Sequence, residues 1–287
     1  MFDTHCHLQF GAFKKTLVQV VDEAKKAGVA GIVVPGTDVE SSRKAVGVTT
    51  KFDNIYAAVG IHPHHVFYHQ IEIANSKDQN NKAKLKEELN KIEGLLQNNK
   101  IVAVGEVGVD RYYYQKTKYT NYEVSEQFIQ LQKDVLGQQI ELALKYKKSL
   151  ILHNRQAVDD LLSVLGEFDQ LSQFQDKAVF HCCEPEEKLL NFAKNYKIFI
   201  GVDGDVTYDQ AKQEFIKKVP PELLVLETDS PFLIPEPLRS QSTSLRIPNE
   251  PKYLSIIAEF IAKLKGISQE ELVEQTTKNA KQLFSLR

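Results

Sequence analysis

Four histidines and two carboxylates, His5, His7, His153, His181, Glu106 and Asp229, are of the types that carry metal-assisted hydrolysis. Imidazole nitrogens and carboxylate oxygens bind divalent first-row ions, and a bound ion acidifies water and neutralises charge on a reacting oxygen. His5 and His7 are two residues apart, so on extended backbone both rings project to one side and can reach one ion. The whole set exceeds the needs of one tetrahedral zinc, which points to two ions sharing a carboxylate. Mixed nitrogen and oxygen ligation suits zinc, manganese or iron, while magnesium prefers more oxygen. Taken singly, each histidine has an ordinary alternative as a hydrogen-bonded core or surface residue.

Their common position along the chain weighs against coincidence. Eight short apolar or β-branched runs recur: MFD at the start, GIVV from Gly31, IYAAVG from Ile55, IVAVG from Ile101, LIL from Leu150, AVF from Ala178, IFIG from Ile198 and LLVLE from Leu223. Helical patterns separate them. In FKKTLVQVVDEAKKAG, for example, Leu17, Val20, Val21 and Ala24 fall on one helical face and Gly28 closes the element. This alternation predicts an α/β fold, a (β/α)8 TIM barrel occupying residues 1–287 as one domain. A doubly wound open sheet shares the local pattern. The ligand positions favour the barrel: His5 and His7 follow the first run, Glu106 the fourth, His153 the fifth, His181 the sixth and Asp229 the eighth, and barrel sites collect at strand C-terminal ends.

Two segments break the rhythm. Residues 69–91, rich in Asn, Lys and Gln, read as a loop leading into a surface helix, and Pro231 to Pro251 holds five of the ten prolines and reads as a long irregular loop over the active face.

Composition excludes some classes. With 42% hydrophobic and 26% charged residues the chain can bury a core, and a net charge of -2 provides no overall basic field, so nucleic-acid contact would need a local patch. An odd number of cysteines, Cys6, Cys182 and Cys183, is not a disulfide framework. The opening MFDTHCHL lacks the apolar run of a signal peptide, and no segment approaches the roughly 18 apolar residues of a membrane span, so a cytoplasmic protein without membrane contact is expected.

Further residues face the same rim. His62 and His64, in GIHPHHV after the third run, suit phosphate binding or protonation of a leaving oxygen, whereas His65 and His69 read as loop histidines. Arg155 could contact phosphate, with a surface ion pair as its alternative. Tyr112, Tyr113 and Tyr114 could stack on bases at an entrance. Cys6 should point away from its flanking histidines into the barrel wall, and Cys182 and Cys183 read as small buried residues.

DTHCHL, GIHPH, GEVGVDRYYY, LHNRQA, FHCC and ETDSPFL, followed by NEP, occur in an order that resembles the TatD-type metal-dependent hydrolases nearly from end to end. The resemblance implies a barrel of the amidohydrolase type, two divalent ions and deoxyribonuclease activity. By position it implies that His5, His7 and Asp229 hold one ion, His153 and His181 the second, with Glu106 between them, while Asp229 also takes the proton of the attacking water. The expected reaction is hydrolysis of phosphodiester bonds at DNA ends, single-stranded or duplex, as an exonuclease. A D-aminoacyl-tRNA deacylase or another carbonyl hydrolase would use the same chemistry. A barrel whose metals have become structural is a third reading, against which the complete ligand set counts. No obligate protein partner is implied. The chain departs from the family pattern at Glu184 and Pro185, and carries a longer insertion before Arg246, Asn249 and Glu250, so substrate preference is where it should differ.

Overall fold

A computed structural model describes residues 1–68, 80–168, 171–242 and 248–287. All eight expected strands form, in chain order and parallel: β1 (Phe2–Asp3), β2 (Gly31–Pro35), β3 (Ile55–Val59), β4 (Ile101–Asp110), β5 (Ser149–Arg155), β6 (Ala178–Phe180), β7 (Phe199–Val202) and β8 (Leu224–Leu226). Each pairs with the next. The ends meet through Thr4 N–H to the Leu226 carbonyl at 3.0 Å, Asp229 N–H to His5 O at 2.9 Å and His7 N–H to Ser230 O at 2.8 Å, with Cys6 bridging Ser230. These bonds make the sheet a barrel and exclude the open doubly wound alternative.

Every strand contributes to the barrel interior. Phe2, Val33, Ala58, Ala103, Ile151, Val179, Phe199 and Val225 form one buried cluster, with Ala280, Leu283 and Phe284 from the last helix packed into it. Large rings from β1 and β7 are offset by the alanines of β3 and β4, as a filled barrel requires. Because strand side chains alternate, the parity that points inward at these positions returns two residues later. Ile151 leads to His153, Val179 to His181, and Val225 to Glu227 and then Asp229. The core pattern thereby carries the polar groups to the rim.

The second layer of apolar residues lies between the sheet and the helices. The helix Leu17–Lys26 buries Val20, Val21 and Ala24, and Gly28 at φ 86° turns the chain out of it, a conformation that suits glycine. The surface helix expected after β3 spans Asn80–Leu95 and turns Leu85, Leu89 and Ile92 inward; the loop before it, His69 included, lies outside the described residues.

Three sequence expectations are corrected. Glu106 and His153 lie within strands, because β4 continues to Asp110 and β5 to Arg155. The extension depends on close approach at Gly108, where a Cβ would meet His153 O at 1.9 Å. The segment Pro231 to Pro251 is not wholly irregular, since it contains the short helix Leu238–Ser242. No helix of the described residues is long and apolar enough to cross a membrane.

Candidate metal centre

All six proposed ligands converge at the C-terminal mouth of the barrel, with the Glu106 carboxylate between them. Its Oε2 lies 3.5 Å from His5 Nε2 and 3.7 Å from His7 Nε2, and its Oε1 lies 2.8 Å from His153 Nδ1 and 3.8 Å from His181 Nε2. Asp229 Oδ1 closes the first group, 3.8 Å from His5 Nε2 and 3.5 Å from His7 Nε2. Two ligand sets thus share one carboxylate, one oxygen facing each.

The donor chemistry fits cations. His7 Nδ1 lies 3.2 Å from the Pro35 carbonyl, which can only accept, so that nitrogen carries the proton and Nε2 presents a lone pair. His181 Nδ1 likewise faces Glu227 Oε1 at 2.9 Å, leaving its Nε2 bare. The Nε2 atoms of His5 and His7 are 3.2 Å apart, and His5 Nδ1 is buried without a hydrogen-bond partner. Buried lone pairs aimed at carboxylate oxygens repel unless a cation lies among them.

Protein atoms alone balance these acids with protons. Burial works against the charge of His153, but Asp110 and Glu106 lift the ring to about 9. Burial likewise opposes His181, which Glu227 and Glu106 raise to about 10. Glu106 is desolvated too, yet the surrounding His62, His153 and His5 hold it well below the usual carboxylate range. The lone pairs these protons occupy are the ones an ion would use.

Three acids escape sequence reading. Glu227, fully buried, accepts from His181; Asp110 Oδ2 lies 3.1 Å from His153 Nε2 and takes the Tyr114 hydroxyl at 2.7 Å; Asp3 accepts from His5 N–H and from Thr228. Burial pushes Asp3 up to about 8. The signal for Glu227 and Asp3 is their spacing of two from Asp229 and His5, the same alternation that links His5 to His7.

His62 reaches the centre, with Nε2 3.3 Å from Glu106 Oε1 and its ring 4.3 Å from that of His153. Its Nδ1 accepts the His64 N–H, so Nε2 carries the proton, and burial lowers the ring's pKa. It is therefore a neutral donor, which favours the phosphate-binding expectation over protonation of a leaving group. His64 is farther out, bonded to Thr117 Oγ1 at 2.9 Å and edged by Tyr114, Tyr119 and Tyr122. It still lines the cavity.

Arg155 makes no ion pair among the described residues. Its guanidinium lies 3.9 Å above the Tyr112 ring and donates to the Tyr114 hydroxyl at 3.2 Å. Of the three consecutive tyrosines, Tyr114 lines the cavity while Tyr113 is 57% exposed outside it. Cys6 is fully buried in the outer core and Cys183 is buried as expected. Cys182 departs from expectation: it lines the cavity, 3.6 Å from the Nζ of buried Lys212, which also binds Asp205 at 2.5 Å. The turn and helix after the seventh strand thus add polar groups, Asp205 and Lys212, that sequence reading did not assign.

The cavity above the centre measures about 620 Å³. The Glu184 carboxylate forms part of its wall and accepts from Asn154 Nδ2 and Gln156 N–H. Asn249, also fully buried, donates to Thr228 O at 2.8 Å and Leu233 O at 3.3 Å and so ties the long loop to the end of β8. Glu250 pairs with Lys252 at 2.8 Å, and Arg246 lies outside the described residues.

Residues 2–285 match the family described as TatD related DNase. The chain is 32% identical to the uncharacterized metal-dependent hydrolase YabD of Bacillus subtilis, covering 100% of this chain and 99% of that one. It is 30% identical to a protein of Erwinia tasmaniensis named 3'-5' ssDNA/RNA exonuclease TatD, covering 100% of both. Among solved structures, the TatD homolog YJJV from Escherichia coli has the same fold, with TM-score 0.78 at 24% identity and coverage of 100% and 98%.

Proposed function

The chain belongs to the TatD-related DNase family of metal-dependent hydrolases, and from that premise we propose that it is a divalent-metal-dependent exonuclease hydrolysing phosphodiester bonds at nucleic-acid ends, DNA above all. The observation that carries this reading is the division of Glu106 between two histidine sets, Oε2 toward His5 and His7, Oε1 toward His153 and His181. Residues 1–287 act as one catalytic unit in this reading.

His5, His7 and Asp229 would hold one ion, His153 and His181 the other, with Glu106 common to both. Zinc, manganese, iron or magnesium bound there would supply Lewis acidity and charge neutralisation. The protein's own groups do the rest. Asp229 accepts the proton released by the attacking water. Neutral His62 donates its Nε2–H to a phosphoryl oxygen as charge develops, and His64 and Arg155 hold the phosphate from the outer wall. Glu227 and Asp110 fix the rings of His181 and His153.

The test is to incubate metal-loaded protein with end-labelled single-stranded DNA and, separately, with D-aminoacyl-tRNA, with Asp229→Ala as control. Stepwise nucleotide release that the variant abolishes is the expected result. Deacylation without nucleotide release would replace the nuclease with a carbonyl hydrolase, and turnover of neither substrate by a chain holding two tight ions would favour a structural metal module.

A further inference from the structure

We propose that Phe232 is a stacking platform for an unpaired base of the nucleic-acid end, an inference that rests on the nuclease reading and specifies how its substrate is held. Among the described residues, Val18, Tyr68, Tyr113, Tyr196 and Phe232 are the large apolar side chains left substantially exposed. Of these, Phe232 alone lines the metal cavity. A scattered exposed apolar group means little, but one fixed beside a reactive carboxylate is a contact surface.

Its backbone is held rigidly. Phe232 N–H donates to Asp229 O at 2.8 Å, so the ring is set three residues beyond the proposed proton acceptor. Asn249 N–H donates to Pro231 O at 3.1 Å, and its side chain binds the Leu233 carbonyl on the other side. Below the loop, Leu233 O sits where a Cβ on Gly204 would be, which leaves no room for the loop to settle further.

The ring is supported but open. Phe10 stacks flat on His7, with centroids 4.4 Å apart and planes at 7°, and Phe232 meets both edge-on at 6.2 Å. With the Phe10–His7 stack already formed, Phe232 keeps half of its surface, 50%, for something from solvent. The cavity volume is that of a site burying a small ligand or a single nucleotide rather than a duplex. A base inside a duplex has both π-faces covered by its stacked neighbours, so a platform in a cavity of this size takes a base splayed from a strand end, whatever its sequence. Arg155, stacked on Tyr112 in the same cavity, provides a cation for the phosphate backbone.

The experiment uses the metal-loaded protein and a 5'-fluorescein single-stranded oligonucleotide with 2-aminopurine at its 3' end and phosphorothioate terminal linkages to slow cleavage. Anisotropy reports binding, and quenching of 2-aminopurine reports stacking. Quenching in the wild type is expected to disappear in Phe232→Ala, with binding roughly ten-fold weaker, and to survive in Phe232→Tyr, with metal content equal in all three. Binding with unchanged quenching in Phe232→Ala would overturn the platform while leaving the nuclease reading intact. A wild type that neither binds nor cuts the oligonucleotide would overturn both.

Discussion

His181 and Glu227 are joined by a 2.9 Å hydrogen bond from Nδ1 to Oε1, and the same oxygen takes the Cys182 N–H at 2.6 Å. The bond sets which imidazole nitrogen faces Glu106. Glu227 has no route to solvent and sits across from Gly201, where a Cβ would fall 2.5 Å from its carboxylate. Replacing it with glutamine keeps the volume but lets an amide N–H face Nδ1, which rotates or re-protonates the ring. Glu227→Gln is expected to lower metal affinity by roughly 10- to 100-fold with unchanged circular dichroism. Equal affinities in a metal titration would show that His181 needs no such support.

His62 should act as a hydrogen-bond donor and not as an acid, because its Nδ1 is occupied by His64 N–H and burial keeps the ring neutral. His62→Ala is expected to reduce kcat by about 10²- to 10³-fold without altering metal content. The loss should be the same for a nucleotide and a 4-nitrophenolate leaving group. A loss confined to the nucleotide would restore the role of proton donor.

Arg155 offers a charge 3.9 Å over the Tyr112 ring. Arg155→Met should raise KM about ten-fold, the scale of one charge-assisted hydrogen bond, and leave kcat nearly constant. It should also reduce the slope of log affinity against log salt by roughly one phosphate contact. An unchanged salt slope would remove Arg155 from the binding surface.

Removal of metal should destabilise the fold as well as abolish turnover. The two histidine sets join strands from opposite sides of the barrel, and an ion at about 1,000 times its Kd stabilises by about 4 kcal/mol. Chelation should lower the Tm, and the Tm should then climb with added ion. A Tm indifferent to ion concentration would contradict the proposed centre.

His65 gives the fold a pH dependence of known sign. Burial lowers its imidazole from 6.5 to about 3, with His62 and Lys118 adding repulsion. Between those values the unfolded chain binds a proton that the folded chain refuses. Stability is therefore complete above about pH 6.5 and is lost as pH falls, by up to about 1.4 kcal/mol per unit for this group. His65→Gln, which can still accept from the Tyr119 hydroxyl, should show a smaller drop in urea midpoint between pH 7.5 and 5.5. Equal drops would place the acid sensitivity elsewhere.

The sequence by itself determined the eight strands, their parallel order and six of the groups at the rim. It could do so because strands buried on both faces must be continuous and apolar, and because alternation repeats every two residues along one chain. His5 predicts His7 by that rule, and the same rule reaches Glu227 from Asp229. Relations between strands were not legible. Glu106 faces five histidines, His62 among them, because β4 continues past it in a register set by Gly108 against β5, and the neutral donor form of His62 follows from one backbone N–H of His64. Lys212 meets Cys182, thirty residues away in the chain, only where the helix after β7 and the loop after β6 line one cavity. Such pairings depend on shear, loop closure and desolvation summed over the whole barrel, so only the tertiary structure decided which lone pairs would be left facing one another.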